Sequence, residues 1–295
     1  MLLPPNNRIS ESIRPEEYFW RWKDSDIHID RYINQDAKAK VILLHGVGGN
    51  GRLLSFIGGP LYRNGFEVIA PDLPGYGLTI CRSNIDYRLW IDMVHDLILE
   101  ELEKDEKPIF LFGLSAGGML AYQVACLNNN ISGLIATNVL DQRNQQVRDA
   151  SATNKYVSKI GIPILRLLHF INNDIKLPMK LVTNMRAIVN DKKLLKLLLA
   201  DRTSSGANVP INLMLSLITS KPQIEPEEFT DCPFLLVHPE KDNWTPLELS
   251  LLFFDRLKCK KEITILENAG HFPIEEPGIT QLEISVVEFI NRIIG

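Results

Sequence analysis

Cysteine is scarce. There are 4 in 295 residues, Cys81, Cys126, Cys232 and Cys259, and no CxxC pair occurs. Spacing this wide outlines neither a disulfide framework nor a zinc ligand set, so reduced structural thiols are expected. An excess of positive charge is also lacking. With 32 Lys and Arg against 36 Asp and Glu, the formal net charge is −4. The basic residues are scattered, which excludes the electrostatic footprint that nucleic acid requires. Met1-Leu2-Leu3-Pro4-Pro5-Asn6-Asn7-Arg8 lacks the basic segment, apolar stretch and small-residue cleavage site of a secretory leader. A cytoplasmic protein is the expectation.

Hydrophobic residues are plentiful at 45%, with 23% charged, the balance of an ordinary globular chain. Pro108 to Leu140 holds no charged residue, longer than a membrane span needs. Gly113, Gly117-Gly118 and Asn128-Asn129-Asn130 break it, however, and short β-like runs flank a helix-like middle. Strands buried on both faces read as continuous apolar runs, so this stretch is expected at the centre of a core.

Strand and helix patterns alternate along most of the chain. Strands are expected at Phe19–Ile33 (or a hairpin), Val41–Leu44, Phe66–Ala70, Ile109–Phe112, Gly133–Val139, Phe234–Val237 and Glu262–Leu266. Between them lie helical segments at Leu53–Asn64, which Gly58-Gly59-Pro60 must interrupt or kink, and at Tyr87–Glu103, from Ala116, at Pro246–Leu257 and up to Ile294. This order predicts the α/β class, a mostly parallel central sheet flanked by helices. The stretch 141–230 differs, having helical segments (Ile162–Asn172, Lys180–Asn190, Lys192–Ala200, Pro210–Thr219) and no convincing strand. The expected organisation is a core of 1–140 and 231–295 with 141–230 inserted as a helical cap.

Gly113-Leu114-Ser115-Ala116-Gly117 follows one expected strand and opens a helix. A serine on such a turn is held in a strained conformation with its hydroxyl presented at the sheet edge, and the glycines permit close backbone approach. The helix beginning behind it offers free N–H groups to developing negative charge. Asp242 follows the strand Phe234–Val237, and His271 follows Glu262–Leu266. Serine, then aspartate, then histidine, each beyond a strand's C-terminal end, is the order that would bring nucleophile, acid and general base together above the sheet.

With His45-Gly46-Val47-Gly48-Gly49, Asp72-Leu73-Pro74-Gly75-Tyr76-Gly77 and Gly270-His271-Phe272, these pieces span about 41 to 277. In combination the chain resembles the α/β-hydrolases of the esterase/lipase-like group with a helical cap. The resemblance implies an oxyanion hole from the backbone N–H groups of Val47 and Ala116, supported by His45, Gly46, Gly113 and Gly117. His271 would take the Ser115 proton while Asp242 fixes the imidazole tautomer. The implied activity is hydrolysis of a small or medium carboxylic ester through an acyl-enzyme, with no metal and no organic cofactor. The same triad serves thioesterases, lactonases, amidases and carbon–carbon hydrolases.

Other readings remain open at this point. Gly46-x-Gly48-x-x-Gly51 with Asp72 at the next strand's end also spells a dinucleotide fingerprint, the mark of a nucleotide-binding oxidoreductase. That reading leaves Ser115, Asp242 and His271 unexplained. A small-molecule receptor that keeps the pocket without turnover is a further alternative. Glu240 and Asp141 compete with Asp242 for the role of acid. His238, Glu240, Asp242 and His271 lack metal-ligand spacing. The expected partner is a small apolar ester, with no nucleic acid and no stable membrane insertion. The Leu-rich cap leaves room for transient contact with lipid surfaces.

Overall fold

The structure, a computed structural model, describes residues 3–172 and 174–295. Strands β1 (Glu16–Trp22) and β2 (Ser25–Tyr32) form an antiparallel hairpin. Then come β3 (Lys40–Leu44), α1 (Ser55–Arg63), β4 (Glu67–Pro71), α2 (Tyr87–Lys104), β5 (Ile109–Gly113), α3 (Ala116–Ala125) and β6 (Ile131–Ala136). The next part of the chain makes α4 (Gln145–Ser151), α5 (Lys155–Ile171), β7 (Lys176–Pro178), α6 (Met179–Val182), α7 (Lys192–Ala200), β8 (Asn208–Pro210) and α8 (Ile211–Thr219). It closes with β9 (Phe234–Pro239), α9 (Leu247–Phe254), β10 (Lys261–Leu266) and α10 (Gly278–Ile294).

One eight-stranded sheet, in the order β1-β2-β4-β3-β5-β6-β9-β10, organises the molecule. It is parallel from β4 onward and antiparallel where β2 meets β1 and β4. The central strands β3, β4 and β5 are buried along their whole length. Covering helices on both faces accounts for their unbroken apolar runs. In α2, Asp86 caps the first turn by accepting the N–H of Leu89 at 2.7 Å. Trp90, Met93, Val94, Leu97 and Ile98 then fall on one buried face, each contributing about 1.5–3 kcal/mol relative to exposure.

Three local expectations are revised. Gly58-Gly59-Pro60 does not interrupt α1, which runs through Pro60. The proline removes the bond that would reach the Phe56 carbonyl, and Nδ2 of Asn7 donates to that carbonyl instead at 3.0 Å. The expected helix over 180–190 reduces to one turn of α6 and a 3-10 turn at Met185–Ala187. Thr183 is extended between them and bridges Ala152, a tertiary contact that overrides local propensity. The stretch 141–230 also contains the two-stranded sheet β7-β8. Its strands are too short for alternation to register in the sequence.

Candidate active site

Because β3, β5, β6, β9 and β10 are parallel, their C-terminal ends share one edge of the sheet. The turn after β5 brings Ser115 there with φ 56° and ψ −123°, outside the regions an L-residue ordinarily occupies. Close approach holds the turn. A Cβ on Gly113 would lie 2.1 Å from the Gly117 carbonyl oxygen, and one on Gly117 would lie 2.1 Å from that of Leu44. Substitution at either position forces backbone apart.

Oγ of Ser115 lies 2.8 Å from Nε2 of His271, and Nδ1 of His271 lies 2.8 Å from Oδ2 of Asp242. Asp242 Oδ1 accepts the N–H groups of Trp244 at 2.9 Å and Thr245 at 2.8 Å, and Oδ2 accepts the Thr245 hydroxyl at 2.9 Å. Burial alone would raise the pKa of this carboxyl. The charge and hydrogen bond of His271, with the two N–H donors, outweigh it and hold the value at about 2. An ionised Asp242 requires the proton on Nδ1, which leaves Nε2 as a lone pair to which the Ser115 hydroxyl donates. The Trp244 ring packs on the imidazole with centroids 4.6 Å apart.

Asp141, the competing acid, is elsewhere engaged. Arg143 grips both its oxygens at 2.7–3.0 Å and also binds Glu225. Glu240 accepts the Asn268 N–H at 2.8 Å on the surface. Only Asp242, of the three, meets the imidazole.

The glycine-rich loop after β3 abuts the serine turn. A Cβ on Gly46 would lie 2.9 Å from Ser115 Cβ and 3.2 Å from the Ala116 nitrogen. Val47, Ser115 and Ala116 line one cavity together. His45 is fully buried and fixes this loop. Its Nε2 accepts the Leu73 N–H at 2.9 Å, so the proton sits on Nδ1 and is donated to the Gly46 carbonyl at 2.8 Å. Burial, the largest influence, lowers its pKa, in keeping with a neutral ring. Asp72, the acid of the dinucleotide pattern, has no free face. It accepts the Gly51 N–H at 2.6 Å and the Leu78 N–H at 2.8 Å, and it bonds His28 Nδ1 at 2.9 Å. A ribose has no access to it.

Sequence reasoning missed Thr137 and Asn138, which follow the central strand β6. Both are completely buried, and Thr137 Oγ1 accepts the Ser115 N–H at 2.9 Å. Expecting β6 to run on to Val139 hid them as strand residues. Two polar residues at the end of an apolar strand were the available signal. His238 was noted only as a metal candidate. It is buried in β9, with Nδ1 3.1 Å from the Thr137 carbonyl oxygen. Among the described residues, the grouping of side chains with ligand-like proximity is Glu17, His28 and Asp30, on the hairpin strands β1 and β2. Arg52 already pairs with Asp30 at 2.6 and 2.7 Å.

In front of Ser115 lies a cavity of ≈ 800 Å³ of empty space, counting the part open to solvent, walled by Met119, Leu140, Met214, Leu217 and Ile218 among others. A second, of ≈ 880 Å³, lies beneath α5. Gln142, Ser151, Thr183, Met214 and Ile218 line both, so the two are adjoining chambers.

The model of the family described as serine aminopeptidase, S33, matches residues 35–278. The chain belongs to this family of α/β-hydrolases. The sheet order, largely parallel pairing and flanking helices accord with the family's fold. Over 258 residues it is 23% identical to an uncharacterised abhydrolase-domain-containing protein of Dictyostelium discoideum, covering 86% of this chain. The chain spans about a quarter of that relative's length (26%). Among solved structures, the monoglyceride lipase of Saccharomyces cerevisiae, held with a substrate analogue, is similar at TM-score 0.80 and 18% identity, covering 98% of this chain and 99% of that one. The monoacylglycerol lipase of Paleococcus ferrophilus gives 0.69 and 22%, covering 90% and 99%. A thermostable carboxyl esterase of Bacillus coagulans gives 0.73 and 17%, covering 95% and 99%. Among the described residues of this S33 member, no helix is long and apolar enough to cross a membrane.

Proposed function

We propose that this S33 member cleaves carboxylic esters of apolar acids by a serine mechanism. The supporting observation is the unbroken line from Ser115 Oγ through His271 to Asp242, each contact 2.8 Å, at the wall of an apolar cavity. His271 takes the hydroxyl proton as Oγ attacks the ester carbonyl, and returns it to the leaving alkoxide. Water then releases the acid from the acyl-enzyme by the same route. The N–H groups of Val47 and Ala116 stabilise the oxyanion. Each such donor is worth about 2.7–4 kcal/mol where removal has been measured.

Residues 141–230 act as a cap that closes the chambers. The acyl group lies toward Met214 and Ile218, and the second chamber favours medium or longer chains over the shortest. A peptide with a free α-amine would need an unpaired carboxylate, and Asp141, the acid on this cavity, is bound by Arg143. That supports esters over the aminopeptide substrates of the family's description. Contact with an anionic lipid surface is supported by α5, which exposes Tyr156 (81%), Leu167 (60%) and Phe170 (88%). Exposed Lys159 and Arg166 lie on the same helix.

Fluorophosphonate labelling followed by p-nitrophenyl esters from acetate to palmitate tests the reading. Labelling of wild type and none of Ser115→Ala is expected, with a loss of kcat on the order of 10⁴-fold or more. Ester turnover surviving in Ser115→Ala would overturn it.

A further inference from the structure

Thr137 and Asn138 sit at the end of β6, the strand between the one carrying the serine turn and the one carrying the Asp242 loop. They join the two. The Ser115 N–H donates to Thr137 Oγ1 at 2.9 Å, and that hydroxyl donates onward to Asn138 Oδ1 at 3.0 Å. With its oxygen so engaged, the Asn138 amide points Nδ2 at Thr245 Oγ1 (3.0 Å) and at Asp242 Oδ2 (3.3 Å). Backbone contacts fix the pair. The Thr137 N–H donates to the Gly113 carbonyl at 3.1 Å, and the Val139 N–H donates to Ser250 Oγ at 3.1 Å. A Cβ on Gly118 would lie 1.9 Å from the Asn138 carbonyl oxygen.

We propose that Asn138, through Thr137, is a positioning residue that ties the acid of the site to the backbone of its nucleophile. This rests on the reading of Ser115, His271 and Asp242 as a triad. The amide donates to Oδ2, the oxygen that also meets the imidazole, and so holds the carboxylate without adding charge. The Thr137 hydroxyl consumes the N–H of Ser115 itself, leaving that of Ala116 for the oxyanion. The titratable groups around Asn138 are His238 of β9, Asp242 and His271. Gly118 of α3 and Ser250 of α9, which also pack on this segment, do not titrate.

Asn138→Asp preserves shape and replaces the donor by a second carboxyl. Two carboxylates this close in a buried site do not both ionise, so the pair keeps a proton to higher pH. The acid limb of kcat/KM on a p-nitrophenyl ester is expected to move to higher pH. At neutral pH kcat should fall about tenfold or more while KM holds. Thr137→Val, which leaves the Ser115 N–H and Asn138 Oδ1 unpaired, should lower kcat without moving the acid limb. Thermal unfolding reports whether each variant is folded. If Asn138→Asp is not, Asn138→Ser, which is smaller and uncharged, should show the same loss of kcat at constant KM. A folded Asn138→Asp with the wild-type pH profile and kcat, or a folded Asn138→Ser with wild-type kcat, overturns the proposal. Activity in Ser115→Ala would instead overturn the triad reading beneath it.

Discussion

Nδ1 of His271 lies 2.8 Å from Oδ2 of Asp242, although Asp141 also stands beyond a strand end and lines the cavity. Arg143 decides between the two carboxylates, since it neutralises Asp141 bidentately. Asp242→Asn is therefore expected to lower kcat by about 10⁴-fold, because the amide no longer selects the right tautomer. Asp141→Asn should change kcat by less than about threefold, the scale of a partly exposed ion pair. Steady-state kinetics on one ester checks both. A large loss only in Asp141→Asn would reverse the assignment.

The serine turn depends on backbone contact with no room for a side chain. Gly117→Ala should destabilise the protein by about 3 kcal/mol or more, since its Cβ would sit 2.1 Å from the Leu44 carbonyl oxygen. A Gly65→Ala control, at a position with open space around it, should lose only the smaller cost of its positive φ. Chemical denaturation of the two variants gives the comparison.

Met214 and Ile218 stand where the two chambers adjoin. Met214→Trp fills that passage. KM for the palmitoyl ester should rise about tenfold or more while that for the acetyl ester stays level, the scale of losing a few buried methylenes. Equal effects on both esters would place the acyl chain outside the second chamber.

The His28–Asp72 pair links β2 to the turn at the end of β4 and to Gly51. The hydrogen bond that His28 donates to Asp72 raises the pKa of His28, burial opposes it, and the charges of Asp72 and Asp30 add to the rise. A histidine raised in the folded state adds stability that is fully present below its ordinary value of 6.5, and loses it as pH climbs through the folded value. His28→Gln should therefore lower Tm most at the acid end of a scan between about pH 5.5 and 8.5. The difference from wild type should shrink toward the alkaline end. A constant difference across the scan would refute the linkage.

The sequence by itself determined the class of fold, since unbroken apolar strands alternating with amphipathic helices bury well only as a covered parallel sheet. It also placed Ser115, Asp242 and His271 beyond the ends of three strands, now β5, β9 and β10, whose parallel run gives them one C-terminal edge. What it left undecided needed contacts remote in the chain. Three carboxylates followed strands or neighbouring loops, and the pairing of Arg143 with Asp141 left Asp242 for His271. The glycine-rich loop also spells a nucleotide-binding pattern, and only the packing shows Asp72 bonded to Gly51, Leu78 and His28. Thr137 and Asn138 passed for strand residues, because their hydrogen bonds run sideways to neighbouring strand ends. No periodicity along one strand records such bonds. Hydrophobic pattern fixes which face is buried; which polar groups then meet is set by the packing of distant segments.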